Sequence, residues 1–284
     1  MLRRERTAGT SGGRERVLST WGFAKRTLFE TASPACLWRH PLQATRLIGG
    51  ATGNGLLAAV ERLVPGGPHR CPVCGWQGRH FRTFLSADEI IPRCICPGCG
   101  AFDRHRLLAL GLRRDLARPG RREGALLAFS QSPCVHDFLA REGAGRCFRA
   151  DFDRCGPFAV DFVTDLRAAG VAAGAIGTLF CSHVLEHIPE LDPCLDEIAR
   201  LLRPGGIAWI QVPQEPGLAR SRPIPVDPRR AHAHAWQFGD DFGDLLQRPA
   251  WTVEAIGVAD LAEPAQSRRF GIAADERCWR LTRR

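Results

Sequence analysis

The sequence predicts an α/β protein, a mainly parallel sheet with helices on both faces, preceded by a small cysteine-rich module and a partly disordered N-terminal region. Three observations carry this. After residue 123, short apolar runs alternate with helical stretches, as in a parallel sheet with crossover helices. Upstream, the pattern Cys-Pro-x-Cys-Gly occurs twice, at Cys71–Gly75 and Cys96–Gly100, with 21 residues between Cys74 and Cys96. The first 20 residues are polar and rich in Arg, Gly, Ser and Thr, with too few apolar side chains to offset the entropy of ordering them.

The chain has 284 residues, 44% hydrophobic and 24% charged, which excludes a disordered or fibrous protein and allows one large or two modest domains. No apolar run approaches the roughly 18 residues of a membrane span, and no secretory signal opens the sequence, so a soluble cytoplasmic protein is expected. The net charge is +9, but 38 of the 39 basic residues are Arg and tyrosine is absent, a coding bias that weakens basicity as a sign of nucleic-acid binding. Its distribution says more: residues 1–125 hold 21 basic and 9 acidic residues, net +12, and residues 126–284 hold 18 and 21, net −3.

Three regions follow: a basic, partly disordered and partly helical stretch over 1–66, a zinc-ribbon-like module with a connecting helix over 67–122, and an α/β domain over 123–284. In the first, short helical patterns end with LLAAVERLV at 56–64, closed by Pro65, Gly66, Gly67 and Pro68. GGATGNG at 49–55 imitates a dinucleotide-binding turn, but the chain runs on into the cysteine cluster, so a flexible loop joining helices is expected instead.

In the second, Cys71, Cys74, Cys96 and Cys99 have the spacing of a tetrahedral four-thiolate Zn2+ site, the glycine after each second cysteine relieving crowding where amides turn toward sulfur. Such a closed site contributes folding energy, on the order of 10 kcal/mol, and no catalysis. Cys94 is a fifth thiol that could substitute. Arg79, Arg82, Arg93, Arg104 and Arg106 make the module basic, which a solvated charged face explains more readily than a nucleic-acid site.

In the third, strands are expected at 125–130, 146–151, 160–165, 177–183, 206–213, 251–258 and 277–282, with helices near 133–142, 192–202 and 240–247. Asp151, Asp165 and His183 end three of these runs, where open α/β sheets bind ligands. Asp192 is placed to cap a helix that Pro204 stops, and Gly205 and Gly206 turn the chain into the next strand.

The stretch FCSHVLEHIPELDPCLDEIARLLRPGGIAWIQVP, residues 180–213, strongly resembles the fourth-to-fifth-strand region of class I S-adenosylmethionine-dependent methyltransferases of the type 11 kind. CPVCGW, CPGCGAFDRHRLLAL and ALLAFS resemble a subgroup with a zinc-ribbon-like module before that domain, and the likeness covers roughly 70–260. It implies a Rossmann-like class I sheet and S-adenosylmethionine as cofactor. Asp151 would accept from the ribose hydroxyls and Asp165 from the adenine amino group with Leu166 packed beside it; Ser130 would lie at the first-strand turn, and Cys181 to His183 would line the methionine end. The usual glycine-rich turn is absent, the chain reading AFSQSPCVHD there. A motif of the type H-x-x-R-x-Y-G-x-D becomes His234-Ala-Trp236-Gln-Phe238-Gly239-Asp-Asp241.

His183-Val-Leu-Glu186-His187 also matches the H-x-x-E-H of metalloproteases, but the segment leaves an apolar strand and meets Pro189, so no sustained helix can present both histidines on one face. For methyl transfer to a hydroxyl, His187 or His234 is the expected base. The expected function is therefore methyl transfer to a small-molecule or glycan-like acceptor. The alternative is a degenerate methyltransferase-like scaffold whose basic ribbon binds nucleic acid or protein.

Overall fold

A computed structural model describes residues 41–64, 66–85, 90–118, 124–129, 132–142, 146–152, 160–226 and 234–284. The tail expected over residues 1–20 lies outside them. The chain divides into two compact units, one holding the residues up to Val64 with Thr83–Ile91, the other Pro65–Arg82 with Pro92–Arg284. The first break coincides with the Pro/Gly cluster.

In the first unit, helix α1 (Pro41–Leu63) runs unbroken through GGATGNG, where a loop was expected. Tertiary contact overrides the low helix propensity of glycine. The Asn54 side chain donates to the Thr83 carbonyl (2.9 Å) and accepts from the Thr83 amide (3.0 Å), closing both backbone groups at once. A Cβ at position 50 would fall 2.5 Å from Leu85, so Gly50 is the residue that lets this contact close.

The second unit begins with β1 (His69–Arg70) paired with β2 (Gln77–Gly78); the paired strands β3 (Arg82–Leu85) and β4 (Ile90–Ile95) follow, their Thr83–Ile91 portion belonging to the first unit, and these short strands make up the ribbon. Helix α2 (Asp103–Leu116) leads into the α/β domain. Its sheet has seven strands in the order β12-β13-β9-β8-β5-β6-β7, with β5 (Ala125–Phe129), β6 (Cys147–Asp151), β7 (Phe162–Val163), β8 (Ile176–Ser182), β9 (Leu202–Gln211), β12 (Trp251–Gly257) and β13 (Arg277–Arg283). β5 to β9 are parallel, and β13 is antiparallel to both neighbours. The chain thus starts mid-sheet at β5, winds outward to β7, returns to β8 and ends by inserting β13 between β9 and β12. This is the class I Rossmann-like sheet with one reversed strand that the resemblance implies.

Helices α3 (Pro133–Glu142) and α4 (Leu191–Leu201) cross between strands, and β10 (Arg222–Pro223) pairs with β11 (Trp236–Gln237). Two short helices, α5 (Phe242–Leu245) and α6 (Pro264–Phe270), flank β12. Asp192 makes no cap: it lies in the first turn of α4 and pairs with Arg248. Gly205 takes φ +71°, turning the Arg203–Gly206 bulge of β9 as its sequence suggests.

Each sheet face has its own core. One gathers Leu127, Leu179, Leu195, Ile198 and Ile210. The other joins Leu126, Phe138 and Trp209 to α2 and to Cys71, Val73 and Phe81 of the ribbon, so ribbon and α/β domain share apolar interior. Gly111 of α2 makes this possible, because a Cβ there would fall 2.3 Å from the Trp209 ring.

Candidate active site and metal centre

Parallel strands aim their carboxyl ends at one edge, and the expected cofactor residues lie along it. Asp151 is the last residue of β6 and half-buried, with Oδ1 accepting from the Phe152 amide at 2.7 Å. Asp165 follows β7, its carboxylate held by the Arg167 guanidinium (Nη2 to Oδ2, 2.7 Å), while Arg167 also reaches Glu190 at 2.6 Å. The hydrogen bonds from Arg167 keep the Asp165 carboxyl below its ordinary pKa. Leu166 beside it is buried. Ser130 lies outside the described residues.

β8 brings Cys181 and His183 to the same edge with different exposure. The Cys181 thiol is wholly buried in the core, burial pushes its pKa well up, and its side chain offers no surface to a ligand. His183 leaves the strand at φ +55°, a left-handed conformation rare outside glycine, with its amide donating to the Gln211 carbonyl at 2.9 Å. Such backbone strain, about 1–3 kcal/mol, gathers at functional turns. Burial lowers the His183 pKa.

A single 3₁₀ turn, Leu185–His187, then places Glu186 and His187 side by side. The Ala235 amide donates to the Glu186 carbonyl (2.6 Å), and the Trp236 indole donates to the carbonyls of Ile188 and Pro189 (3.1 Å each). These bonds carry His234 onto the turn, with its ring 5.0 Å from that of His187 in an edge-to-face contact. Burial lowers the His234 pKa. The two histidines picked as candidate bases, 47 positions apart in sequence, are therefore neighbours.

Glu186 was passed over as a site residue, although the literal His-x-x-Glu-His string contained it. Its carboxylate is 0% exposed, and among the described residues neither oxygen receives a hydrogen bond of acceptable geometry. His183 Nδ1 stands 3.2 Å and His187 Nε2 3.9 Å from Oε1.

The departures around Trp236 have structural work. Trp236 stacks on Phe238, rings nearly parallel at 3° and 5.8 Å apart. At Gly239 a Cβ would fall 2.3 Å from the Leu218 carbonyl oxygen, and Asp241 Oδ1 accepts from the Ser221 amide (2.7 Å) and hydroxyl (2.6 Å). Gly and Asp in this motif close a loop.

In the ribbon, the thiols of Cys71, Cys74, Cys96 and Cys99 all lie within 4.8 Å of one another. The two knuckles repeat one backbone: Gly75 and Gly100 donate to the carbonyls of Cys71 and Cys96 (2.8 and 2.9 Å), at φ +80° and +77°. Those positive angles are the reason for the glycines. Hydrogen bonds among the neighbouring thiols lower the Cys74 pKa and raise those of Cys96 and Cys99, so the four sulfurs are close enough to share protons. Cys94 is buried outside the four-thiol cluster.

Ribbon and sheet edge are tied by buried polar groups. Arg106, 0% exposed, donates to the carbonyls of Cys94 (2.9 Å), Ala101 (2.7 Å) and Gly271 (2.6 Å) and lies 4.0 Å over the Phe81 ring. Near the start of α2, Glu276 accepts from Gln211 at 2.5 Å, and Gln211 accepts from Ser182 at 3.2 Å. Burial, reinforced by the Asp103 charge, raises the Glu276 pKa from 4.5 to about 7. A carboxyl raised in the fold adds stability that is full below pH 4.5 and lost as pH rises through 7. Glu276→Gln keeps the acceptor and removes the titration. Denaturant titrations are therefore expected to show the variant gaining on the native protein across that window, by up to about 3 kcal/mol above it.

Comparison with known proteins adds the following. The family described as "Methyltransferase domain" matches residues 143–210. No curated protein matches. Among solved structures, the Burkholderia thailandensis 1,6-didemethyltoxoflavin-N1-methyltransferase is 18% identical, with a TM-score of 0.44, over 64% of this chain and 78% of that one. A chain of the Haloferax volcanii complex between the Trm112 methyltransferase activator and a methyltransferase is 16% identical, TM-score 0.44, over 64% and 90%. An S-adenosylmethionine-dependent methyltransferase from Mesorhizobium loti is 12% identical, TM-score 0.44, over 61% and 96%. The family match spans β6 to β9 of the sheet, and the strand order, with β13 reversed between β9 and β12, is that of the class I Rossmann-like fold.

Proposed function

We infer that the protein is an S-adenosylmethionine-dependent methyltransferase acting on a small-molecule or glycan-like acceptor, with a structural Zn2+ held by Cys71, Cys74, Cys96 and Cys99. The observation carrying this is the pair of carboxylates, Asp151 and Asp165, after consecutive parallel strands of a class I sheet. The donor set suits the cofactor. The Asp151 carboxylate can accept from two adjacent ribose hydroxyls, and Asp165 and Leu166 offer an acceptor and an apolar wall to adenine. The bound cofactor supplies an electrophilic methyl group on a sulfonium. His183 marks the methionine end, and His187 and His234 face the acceptor side, where they orient a hydroxyl and take its proton. The resemblance adds Ser130, which lies outside the described residues, to the cofactor contacts. A reducing cytoplasm keeps the ribbon thiolates available to metal.

Calorimetric titration of the zinc-loaded protein tests this. S-adenosylmethionine and S-adenosylhomocysteine are expected to bind at micromolar levels and Asp151→Ala to weaken both by about 100-fold, since two hydroxyls lose a charged acceptor. Absence of heat from folded native protein would instead favour the degenerate scaffold, with salt-dependent nucleic-acid binding as its own signature.

A further inference from the structure

We propose that Glu186, His187 and His234 form a second metal centre, distinct from the ribbon, that binds a divalent first-row transition-metal ion at the acceptor side of the sheet edge. One carboxylate oxygen and two imidazole nitrogens lie within 4.8 Å of one another. Three protein ligands of this kind leave coordination positions open, unlike the closed four-thiolate ribbon.

The Glu186 carboxylate points independently to a ligand. A buried carboxylate with an oxygen left unsatisfied is costly, and it persists where a cation completes it. Glu186 has no exposed surface; Oε1 has only the imidazoles of His183 (3.2 Å) and His187 (3.9 Å) beside it, and Oε2 has no hydrogen bond among the described residues. The surroundings are built to hold the three groups together. Glu186 and His187 share one turn, and Ala235 and Trp236 fasten the segment bearing His234 to that turn through three backbone carbonyls. His183, 3.2 Å from Glu186 Oε1, steadies the carboxylate from the strand end.

The ion's role, though not its site, rests on the methyltransferase reading. An open position takes an acceptor hydroxyl and lowers its pKa; the proton leaves to solvent. The oxygen lone pair then forms the bond to the methyl carbon as the carbon–sulfur bond breaks and its electron pair returns to sulfur. This narrows the acceptor to molecules methylated on oxygen. In the metal-free protein the two rings take the acceptor proton; with the ion bound their nitrogens are ligands, and that proton goes to solvent instead.

The test uses full-length, zinc-loaded protein titrated with Mn2+, a harder ion that does not displace zinc from thiolates. One equivalent is expected to bind, seen as loss of the free-ion electron paramagnetic resonance signal, with imidazole nitrogen couplings in pulsed spectra. Glu186→Gln and His234→Ala are each expected to weaken binding by about tenfold or more. His234 is exposed, so its variant decides the matter should Glu186→Gln fail to fold. Mn2+ left free by folded protein, or bound equally by His234→Ala without nitrogen couplings, overturns the proposal. Binding of Mn2+ without binding of S-adenosylmethionine sustains the metal centre and removes the methyltransferase reading; the reverse pattern removes the metal centre alone.

Discussion

Cys96→Ser lowers the unfolding midpoint of the whole second unit by roughly 10–20 °C, the largest effect expected of any single substitution in the ribbon. With the proposed zinc bound, the site contributes on the order of 10 kcal/mol to folding; losing one thiolate removes part of this, and about half suffices at the usual 2–4 °C per kcal/mol for a domain this size. The effect spreads because the ribbon is part of the interior. Cys71, Val73, Phe81, Cys96 and Ala101 share a core with Leu126, Phe138 and Trp209. The Arg113 and Arg141 guanidiniums reach the carbonyls of Pro72 and Val73 at 3.2 and 2.8 Å. Cys134, at the start of α3, interacts through its thiol with Cys99, bringing the second knuckle against the segment that follows the first-strand turn. Differential scanning calorimetry before and after chelation, with released zinc measured by a colorimetric indicator, checks this. A midpoint unmoved by stoichiometric zinc loss would show that packing alone holds the ribbon.

Asp115→Ala destabilises the fold by about 3–4 kcal/mol, at the low end of what breaking a buried ion pair costs. Asp115 is 2% exposed; its Oδ2 accepts from Arg280 Nε at 2.6 Å and from the Trp209 indole at 3.1 Å. Truncation orphans a buried guanidinium and a buried indole N–H together. Arg280 keeps Glu254 at 2.9 Å and Thr282 at 2.9 Å, which moderates the loss. Asp115→Asn retains an acceptor and is expected to cost less than half as much. Urea titrations with unchanged m values check both; equal stability of Asp115→Ala and the native protein would contradict the role given to this carboxylate.

Elements with a strong apolar pattern were legible in the sequence. All seven sheet strands and helix α3 fall where expected, within a few residues, because β5, β8 and β9 are buried on both faces over most of their length and so read as uninterrupted apolar runs. The elements missed lack such a signal. α6 buries none of its residues and is set by Glu263, Pro264 and left-handed Gly271. β10 and β11 are two residues each, and their pairs, Arg222 with Gln237 and Pro223 with Trp236, lie 15 and 13 positions apart in sequence. β7 shrinks to Phe162–Val163 because only those residues find partners at the edge of the sheet. At the site, the knuckle spacing foretold the four converging thiols and the carboxylates fell at strand ends. The meeting of His187 and His234 was not readable, since it is made by the Ala235 amide and the Trp236 indole bonding to backbone carbonyls of the turn. Nor was the desolvation of Glu186, because burial at a turn leaves no periodicity.

The position of β13 also bears on how a growing chain can fold. It lies between β9 and β12, Arg280 on it completes the Asp115 pair, and Gly271 just before it supplies the third carbonyl to Arg106. Until β13 is made, β12 has no strand beside it and the Asp115 carboxylate of α2 lacks its Arg280 partner; until Gly271 is made, Arg106 lacks the third of its carbonyls. The knuckles can capture metal early, within residues 71–99, yet the interior around them closes only when one of the last strands is threaded into the sheet. Metal capture and structural completion are thus separated by nearly two hundred residues of translation, and chains arrested in that interval would present an open sheet edge to the cell's proteases.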